Sequence, residues 1–128
     1  MKKRVLILCT GNSARSQIAE GLWRHEAGVR YDVFSAGTKP SRVRPEAIAV
    51  MKEIGIDISS HRSKPVDEFA GQEFDYVITV CDHANEICPV FSGKTERLHW
   101  PFEDPTDEAS FRKVRDQIRT RIREFVAP

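Results

Sequence analysis

The chain has 128 residues, of which 40% are hydrophobic and 30% charged, and its formal net charge is +1. This length and composition predict one globular domain over residues 1–128, and the nearly neutral charge indicates neither a nucleic-acid partner nor a membrane surface. No apolar stretch reaches the roughly 18 residues of a transmembrane helix. The apolar run after basic residues 2–4 is too short for a signal peptide, so we predict a cytoplasmic protein.

Strand-like and helix-like patterns alternate along the chain. The predicted strands cover residues 5–8, 33–36, 74–80 and 96–100. The predicted helices cover residues 18–27, 45–54 and 111–126, with one or two helical turns at 66–70. This alternation predicts an α/β fold with a mainly parallel sheet, in which ligands bind beyond the carboxyl ends of the strands.

The first strand is followed directly by Cys-Thr-Gly-Asn-Ser-Ala-Arg-Ser at residues 9–16. A loop that closes onto a helix N-terminus collects backbone N–H groups and the positive end of the helix dipole, so it is suited to an anion. Gly11 and Asn12 tolerate the left-handed backbone angles that such a loop requires. The predicted oxyanion-binding residues are Thr10, Gly11, Asn12, Ser13, Ala14 and Arg15.

Cys9 and Arg15 predict a catalytic function for this loop. The planar guanidinium of Arg15 can hold two oxygens of a tetrahedral oxyanion. The same positive field favours the thiolate of Cys9, which makes it a candidate nucleophile near neutral pH, and Ser16 can donate a hydrogen bond to that sulfur. The alternative is a buried cysteine beside a surface arginine, which leaves the Gly11-Asn12 pair unexplained.

Cys81 and Cys88 follow the third predicted strand. Seven residues of continuous helix rise about 10 Å, whereas a disulfide needs Cα atoms within about 7 Å, so a bond between them requires this segment to bend. We predict a relay in which Cys81 attacks a sulfur adduct on Cys9, and Cys88 then attacks the Cys9–Cys81 disulfide. Two alternatives stay open: a pair of small buried residues, and a zinc site that adds His83.

Asp104 lies just past the fourth predicted strand, in Phe-Glu-Asp-Pro at residues 102–105. A carboxylic acid at this rim can pass a proton to the leaving oxygen of an oxyanion. An acidic turn residue or a cap of the last helix is an equally good interpretation of Asp104. The histidines show no metal-like spacing, so we predict no metal site. The basic face of the last helix is interpreted as a solvated surface formed by Arg112, Lys113, Arg115, Arg119, Arg121 and Arg123.

These motifs together resemble a known family over nearly the whole chain. Residues 9–16 resemble the phosphate loop of low-molecular-weight protein tyrosine phosphatases, and Asp104-Pro105 resembles their general-acid loop. Thr-Val-Cys-Asp-His-Ala-Asn-Glu-Ile-Cys-Pro at 79–89 and His-Trp-Pro-Phe-Glu-Asp-Pro at 99–105 resemble the thioredoxin-coupled arsenate reductases built on that fold.

The resemblance implies a four-stranded parallel sheet with helices on both faces and a function in arsenic detoxification. It implies that Cys9 attacks arsenate held by the loop amides and Arg15, while Asp104 assists proton transfer to the leaving oxygen. Cys81 then attacks Cys9 and releases arsenite, Cys88 takes over the disulfide, and thioredoxin reduces the Cys81–Cys88 bond. It implies arsenate as substrate, with phosphate or sulfate as analogues, and we expect a monomer without an obligatory cofactor.

The chain departs from the family pattern in two respects. Ala14 stands where many relatives carry another cysteine, but no step of the implied mechanism needs a thiol there. Some relatives bind potassium through residues that match Asn12, Glu20, Ser35 and a Thr-x-Asp pair. Arg62 and Lys64 replace that pair here, so we expect a lysine ammonium in place of the potassium ion.

The main alternative is a phosphatase that hydrolyses phosphate monoesters through a covalent phosphate on Cys9. Arg15 and Asp104 would act in the same way. The phosphatases usually carry a tyrosine after the Asp-Pro pair, where this chain has Thr106, and the later cysteine pair has no function in phosphate hydrolysis. A third interpretation is a non-catalytic thiol sensor or phosphate-binding module, which needs only the loop.

Overall fold

The computed structural model describes residues 2–80 and 95–127. Its strands are β1 (Lys3–Cys9), β2 (Tyr31–Gly37), β3 (Tyr76–Thr79) and β4 (Glu96–His99). Its α-helices are α1 (Arg15–Ala27), α2 (Pro45–Lys52) and α3 (Glu108–Val126), and Val66–Phe69 forms a short 3₁₀ helix. None of the helices in the described ranges is both long and apolar enough to cross a bilayer.

The strands form one four-stranded parallel sheet, as predicted, and the structure shows their order in it to be β2–β1–β3–β4. The central strand β1 is buried from Val5 to Cys9, because a parallel strand in this position is covered on both faces. Leu8 pairs with Ala36 of β2 and with Thr79 of β3, so these three strands end at the same level. Cys9, the last residue of β1, therefore lies at the carboxyl edge of the sheet.

Helical segments cover both faces of the sheet, which confirms the predicted fold class. Side chains alternate along a strand, so Phe34 and Ser35 of β2 face opposite sides. The Phe34 ring packs against Phe69 of the 3₁₀ helix, with centroids 5.6 Å apart. On the other face, the Ser35 hydroxyl donates to Glu20 of α1, and α1, α2 and α3 contact one another.

The helix α3 begins at a capping box. The Asp107 carboxylate accepts from the Ser110 N–H at 2.8 Å, and the Ser110 hydroxyl accepts from the Asp107 N–H at 2.9 Å. The hydrogen bonds from Ser110 lower the pKa of Asp107 below its ordinary value. The cap of the last helix is therefore Asp107, and the alternative interpretation of Asp104 as this cap is wrong.

The basic face of α3 is only partly the solvated surface that the sequence predicts. Arg115 is 8% exposed, and its guanidinium pairs with Glu53 at the end of α2 at 2.8 Å. Arg119 and Arg123 both pair with Glu26 of α1. These ion pairs attach α3 to the other two helices, because a long arginine side chain can cross an apolar interface and still reach a carboxylate.

Candidate active site

The four consecutive carbonyl groups of residues 10–13 accept hydrogen bonds from groups outside the loop, at 2.8–3.1 Å. The Lys39 N–H donates to the carbonyl of residue 10, and the Ser41 N–H and the Ser63 hydroxyl both donate to that of residue 11. The Gln17 side-chain amide donates to the carbonyl of residue 12, and the Arg44 N–H donates to that of residue 13. In a trans peptide the C=O and the following N–H point in opposite directions. Carbonyls that face outward therefore turn the N–H groups of residues 11–14 toward the loop centre, as an anion-binding nest requires.

The helix α1 adds its own N-terminus to this loop. Its N-cap is Ala14, and no side chain of the described residues caps the helix. The first turn carries no acidic residue. The first N–H groups and the positive end of the helix dipole can therefore interact with an anion that lies in the loop.

Asn12 holds the loop from inside the protein. It is fully buried and has a φ of 47°, in the left-handed region. Its Oδ1 accepts from the Lys64 N–H at 2.9 Å, and its Nδ2 donates to the hydroxyls of Ser16 and Ser35 at 2.8 and 3.0 Å. Of the two loop residues that tolerate the left-handed region, Asn12 adopts it and Gly11 does not.

Gly37, the last residue of β2, is where another strand comes closest to the loop. A Cβ at this position would lie 2.6 Å from the Thr10 carbonyl oxygen and 2.9 Å from the Asn12 nitrogen. Both neighbours are backbone atoms that cannot rotate away, so only glycine fits here. The close contact keeps the loop packed against the end of β2.

The candidate nucleophile Cys9 is 4% exposed, at the carboxyl end of the central strand. Val80, directly after β3, donates its N–H to the Leu8 carbonyl at 2.9 Å. The residue before Cys81 is thus hydrogen-bonded to the residue before Cys9. Cys81 and Cys88, their predicted disulfide and His83 lie outside the described residues.

Arg15 connects the loop to the segment that follows β4. Its side chain is 14% exposed, and its Nη1 donates to the Phe102 carbonyl at 3.0 Å. Its Nη2 lies 3.7 Å from Oδ1 of Asp104, whose side chain is 70% exposed. The structure thus brings Arg15 and Asp104 together at the same edge of the sheet as Cys9.

Comparison with known proteins identifies the family. Residues 4–128 match the model of the low molecular weight phosphotyrosine protein phosphatases. The chain belongs to this family. Within it, the chain is a relative of the arsenate reductases: that of Halalkalibacterium halodurans is 48% identical over 97% of this chain and 95% of its own.

Solved structures of arsenate reductases have the same fold as this phosphatase-family member. One, in a phosphate-binding state, matches with a TM-score of 0.85 and 36% identity, over 98% of this chain and 97% of that chain. The thioredoxin-dependent arsenate reductase of Corynebacterium glutamicum matches with a TM-score of 0.81 and 32% identity, over 97% of this chain and 60% of that chain.

A buried polar cluster lies behind the loop in this member of the phosphatase family. The Glu20 carboxylate, 5% exposed, accepts from the Ser35 hydroxyl, and Lys64 Nζ lies 3.8 Å from its Oε1. Burial lowers the pKa of Lys64, and the charge of Glu20 opposes that shift. The Lys64 ammonium thus lies beside Glu20, one of the positions through which some relatives bind potassium, as expected for a lysine that takes the place of the ion. In residues 2–80 and 95–127, no cluster of His, Cys, Asp and Glu is arranged to hold a metal ion.

His61 and Gln17 belong to the same cluster, although no pattern in the sequence predicts a function for either residue. The Gln17 Nε2 donates to the Asn12 carbonyl and to the Asn12 side-chain oxygen, which identifies the other end of the Gln17 amide as its oxygen, Oε1. This oxygen can only accept, so the His61 Nδ1, 3.0 Å away, is the donor in the hydrogen bond between them. Burial lowers the pKa of His61, and Glu20 opposes that shift. The sequence carries no signal for this cluster, because the burial of the polar residue Gln17 in α1 is visible only in the structure.

Proposed function

We propose that this protein is an arsenate reductase in which Cys9 is the nucleophile and Cys81 and Cys88 return the electrons, with thioredoxin as the reductant. The observation that carries the proposal is the hydrogen bond from the Val80 N–H to the Leu8 carbonyl. It sets the residues that precede Cys81 and Cys9 side by side at the carboxyl edge of the sheet. The same proposal includes one domain over residues 1–128, acting in the cytoplasm as a monomer.

In the first step, the Cys9 thiolate attacks arsenic and forms an S–As bond. The N–H groups of residues 11–14 and the Arg15 guanidinium hold the arsenate oxygens and stabilise the charge that develops on them. The bond between arsenic and one hydroxyl of the protonated arsenate breaks, and this leaving hydroxyl takes a proton from Asp104 and departs as water. Ser16 accepts a hydrogen bond from Asn12, so its own proton can be donated to the Cys9 sulfur.

In the second step, the Cys81 thiolate attacks the Cys9 sulfur and forms an S–S bond. The electron pair of the S–As bond goes to arsenic, which is reduced from As(V) to As(III) and leaves as arsenite. Cys88 then attacks Cys81 and forms the Cys81–Cys88 disulfide, which restores the Cys9 thiolate. Two electrons from the thioredoxin dithiol reduce that disulfide, so each cycle consumes one thioredoxin.

Phosphate and sulfate are tetrahedral oxyanions that the same nest can hold. The matched structure in a phosphate-binding state supports this part of the proposal. The relatives at 41–48% identity are named arsenate reductases, which favours reduction over the hydrolysis of phosphate monoesters.

The decisive experiment compares arsenite release by the wild-type protein, Cys88→Ser and Cys9→Ser with reduced thioredoxin in excess. We expect the wild type to turn over continuously, Cys88→Ser to release about one arsenite per protein and then stop, and Cys9→Ser to release none. Continuous turnover by Cys88→Ser would show that the relay is wrong. A wild type that hydrolyses an aryl phosphate but forms no arsenite would show that the protein is a phosphatase.

A further inference from the structure

The main chain at Phe102 holds the Arg15 guanidinium in one orientation. Nη1 donates to the Phe102 carbonyl at 3.0 Å, whereas Asp104 Oδ1 is 3.7 Å from Nη2, beyond hydrogen-bonding distance. With Nη1 engaged, the edge formed by Nε and Nη2 is the pair of donors that can bind an oxyanion side-on. Because the guanidinium is a rigid plane, the position of the Phe102 carbonyl decides where that edge points.

Phe102 is placed by the segment that starts at Trp100. The Trp100 N–H donates to the Thr79 carbonyl at 2.8 Å, and the Phe102 N–H donates to the Val80 carbonyl at 3.3 Å. These two bonds continue the pairing with β3 beyond the end of β4. Pro101 lies between them, and its ring restricts the backbone that joins the two anchors.

The Trp100 indole fixes this segment relative to the helix that carries Arg15. The indole is 6% exposed and stacks on Trp23 of α1, with ring planes 6° apart and centroids at 5.9 Å. Phe125 of α3 meets the same ring edge-on at 5.4 Å. Arg15 is the first residue of α1, and Trp23 lies about two turns later in the same helix. The helix that carries the Arg15 guanidinium therefore also carries the ring on which Trp100 stacks.

We propose that Trp100 is a positioning residue for oxyanion binding: by stacking on Trp23 it sets the Phe102 carbonyl, which directs the Nε–Nη2 edge of Arg15 into the loop. The inference rests on the proposed function only in taking Arg15 as the oxyanion ligand. A residue that merely filled the core would affect the stability of the protein and not its affinity for an anion.

The test is calorimetric titration of inorganic phosphate into the wild type, Trp100→Leu and the matched control Phe125→Leu. Phe125→Leu removes contacts from the same aromatic cluster without touching the backbone of residues 100–102. We expect the phosphate Kd of Trp100→Leu to rise about tenfold through loss of a charge-assisted contact, and that of Phe125→Leu to stay unchanged. Urea unfolding of both variants reports the loss of stability that they share.

A double-mutant cycle makes the test specific to Arg15. A lysine ammonium is a compact charge and has no planar pair of donors whose orientation could matter. Trp100→Leu should therefore not weaken phosphate binding further in an Arg15→Lys background. If Trp100→Leu does not fold, Pro101→Gly loosens the same connection at an exposed position, and we expect it to raise the phosphate Kd.

Three results would overturn the inference: an unchanged phosphate affinity in the folded Trp100→Leu or Pro101→Gly variant, an equal loss in Phe125→Leu, or full additivity with Arg15→Lys. Phosphate binding requires neither reduction nor the cysteine relay. A failure of the proposed function, seen as absence of arsenite release by the wild type, therefore leaves this test intact.

Discussion

Asn12 Nδ2 donates to the Ser35 hydroxyl at 3.0 Å, although 23 positions of the chain separate the two residues. The Ser35 hydroxyl in turn donates to the buried Glu20 carboxylate. The loop between β1 and α1 is therefore shaped from β2 and from α1 as much as by its own residues. A site built in this way is ordered before the anion arrives, so binding does not have to fix the loop.

The Asn12 side chain should be necessary for stability as well as for binding. Asn12→Gly keeps the positive φ but removes the side-chain hydrogen bonds with Ser16, Ser35, Gln17 and Lys64. We therefore expect the free energy of unfolding to fall by about 3 kcal/mol. Asn12→Ala should lose about 1 kcal/mol more, because alanine is strained in the left-handed region. Urea unfolding measures both, and equal stability of Asn12→Gly and the wild type would contradict this account.

Gly37→Ala should displace the loop from the end of β2. The added Cβ would meet the Thr10 carbonyl at 2.6 Å, so we expect the phosphate Kd to rise by at least about tenfold. Gly55→Ala is the matched control, since Gly55 has a φ of +79° and open space around it. The control should lose about 1 kcal/mol of stability to strain and keep its phosphate affinity. Equal phosphate affinity of Gly37→Ala and the control would show that the close contact does not shape the site.

Arg15→Lys should retain the charge but lose the two-point grip on the oxyanion. We expect kcat/KM for arsenate to fall about a hundredfold, the usual effect of removing one oxyanion donor. Arg119→Lys is the control, because Arg119 pairs with Glu26 between α1 and α3. Steady-state arsenate reduction with thioredoxin measures the effect, and unchanged kinetics of Arg15→Lys would remove this residue from the site.

Glu53 should make the stability of the protein dependent on pH. Hydrogen bonds from Arg112, and then from Arg115, lower the pKa of Glu53 from 4.5 to about 2. A carboxylate whose pKa is lower in the folded state than in the unfolded state stabilises the folded protein. This contribution is complete at pH values above about 4.5 and is lost as the pH falls toward 2. We therefore expect Glu53→Gln to be less stable than the wild type at pH 7, with a difference that shrinks below pH 4.5.

Urea unfolding between pH 7 and pH 3 tests the Glu53 prediction. Glu124→Gln removes an exposed carboxylate of the same helix bundle and serves as the control. A stability difference between the wild type and Glu53→Gln that stays constant over this pH range would mean that the ion pairs of Glu53 do not link α2 to α3 energetically.

Lys64 should make arsenate reduction insensitive to the choice of monovalent cation. Its ammonium already lies 3.8 Å from Glu20, so a potassium ion there would meet a positive charge. We expect equal steady-state rates in potassium and sodium chloride at matched ionic strength. A specific stimulation by potassium would contradict the assignment of Lys64 as the substitute for the ion.

The sequence by itself determined the order of strands and helices, the loop at residues 9–16 and the pairing of a thiol with an arginine. These features are local, because an apolar strand, a tight polar loop and an amphipathic helix are each recorded in the types and spacing of neighbouring residues. Cys9 and Arg15 are predictable for the same reason: they flank one short loop. The position of Asp104 near them followed from the rule that parallel strands end at one edge.

Only the tertiary structure decided how the loop is held and where its arginine points. The backbone groups of Lys39, Ser41 and Arg44 turn the loop carbonyls outward, and the Phe102 carbonyl binds Arg15 from 87 positions away. Nearly every residue carries the same backbone donor and acceptor, so such contacts leave no trace in residue type or spacing. The close contact between Gly37 and the loop, and the burial of Arg115, could not be predicted from the sequence for a related reason. Both depend on residues that are distant in the chain and pack against them in the folded protein.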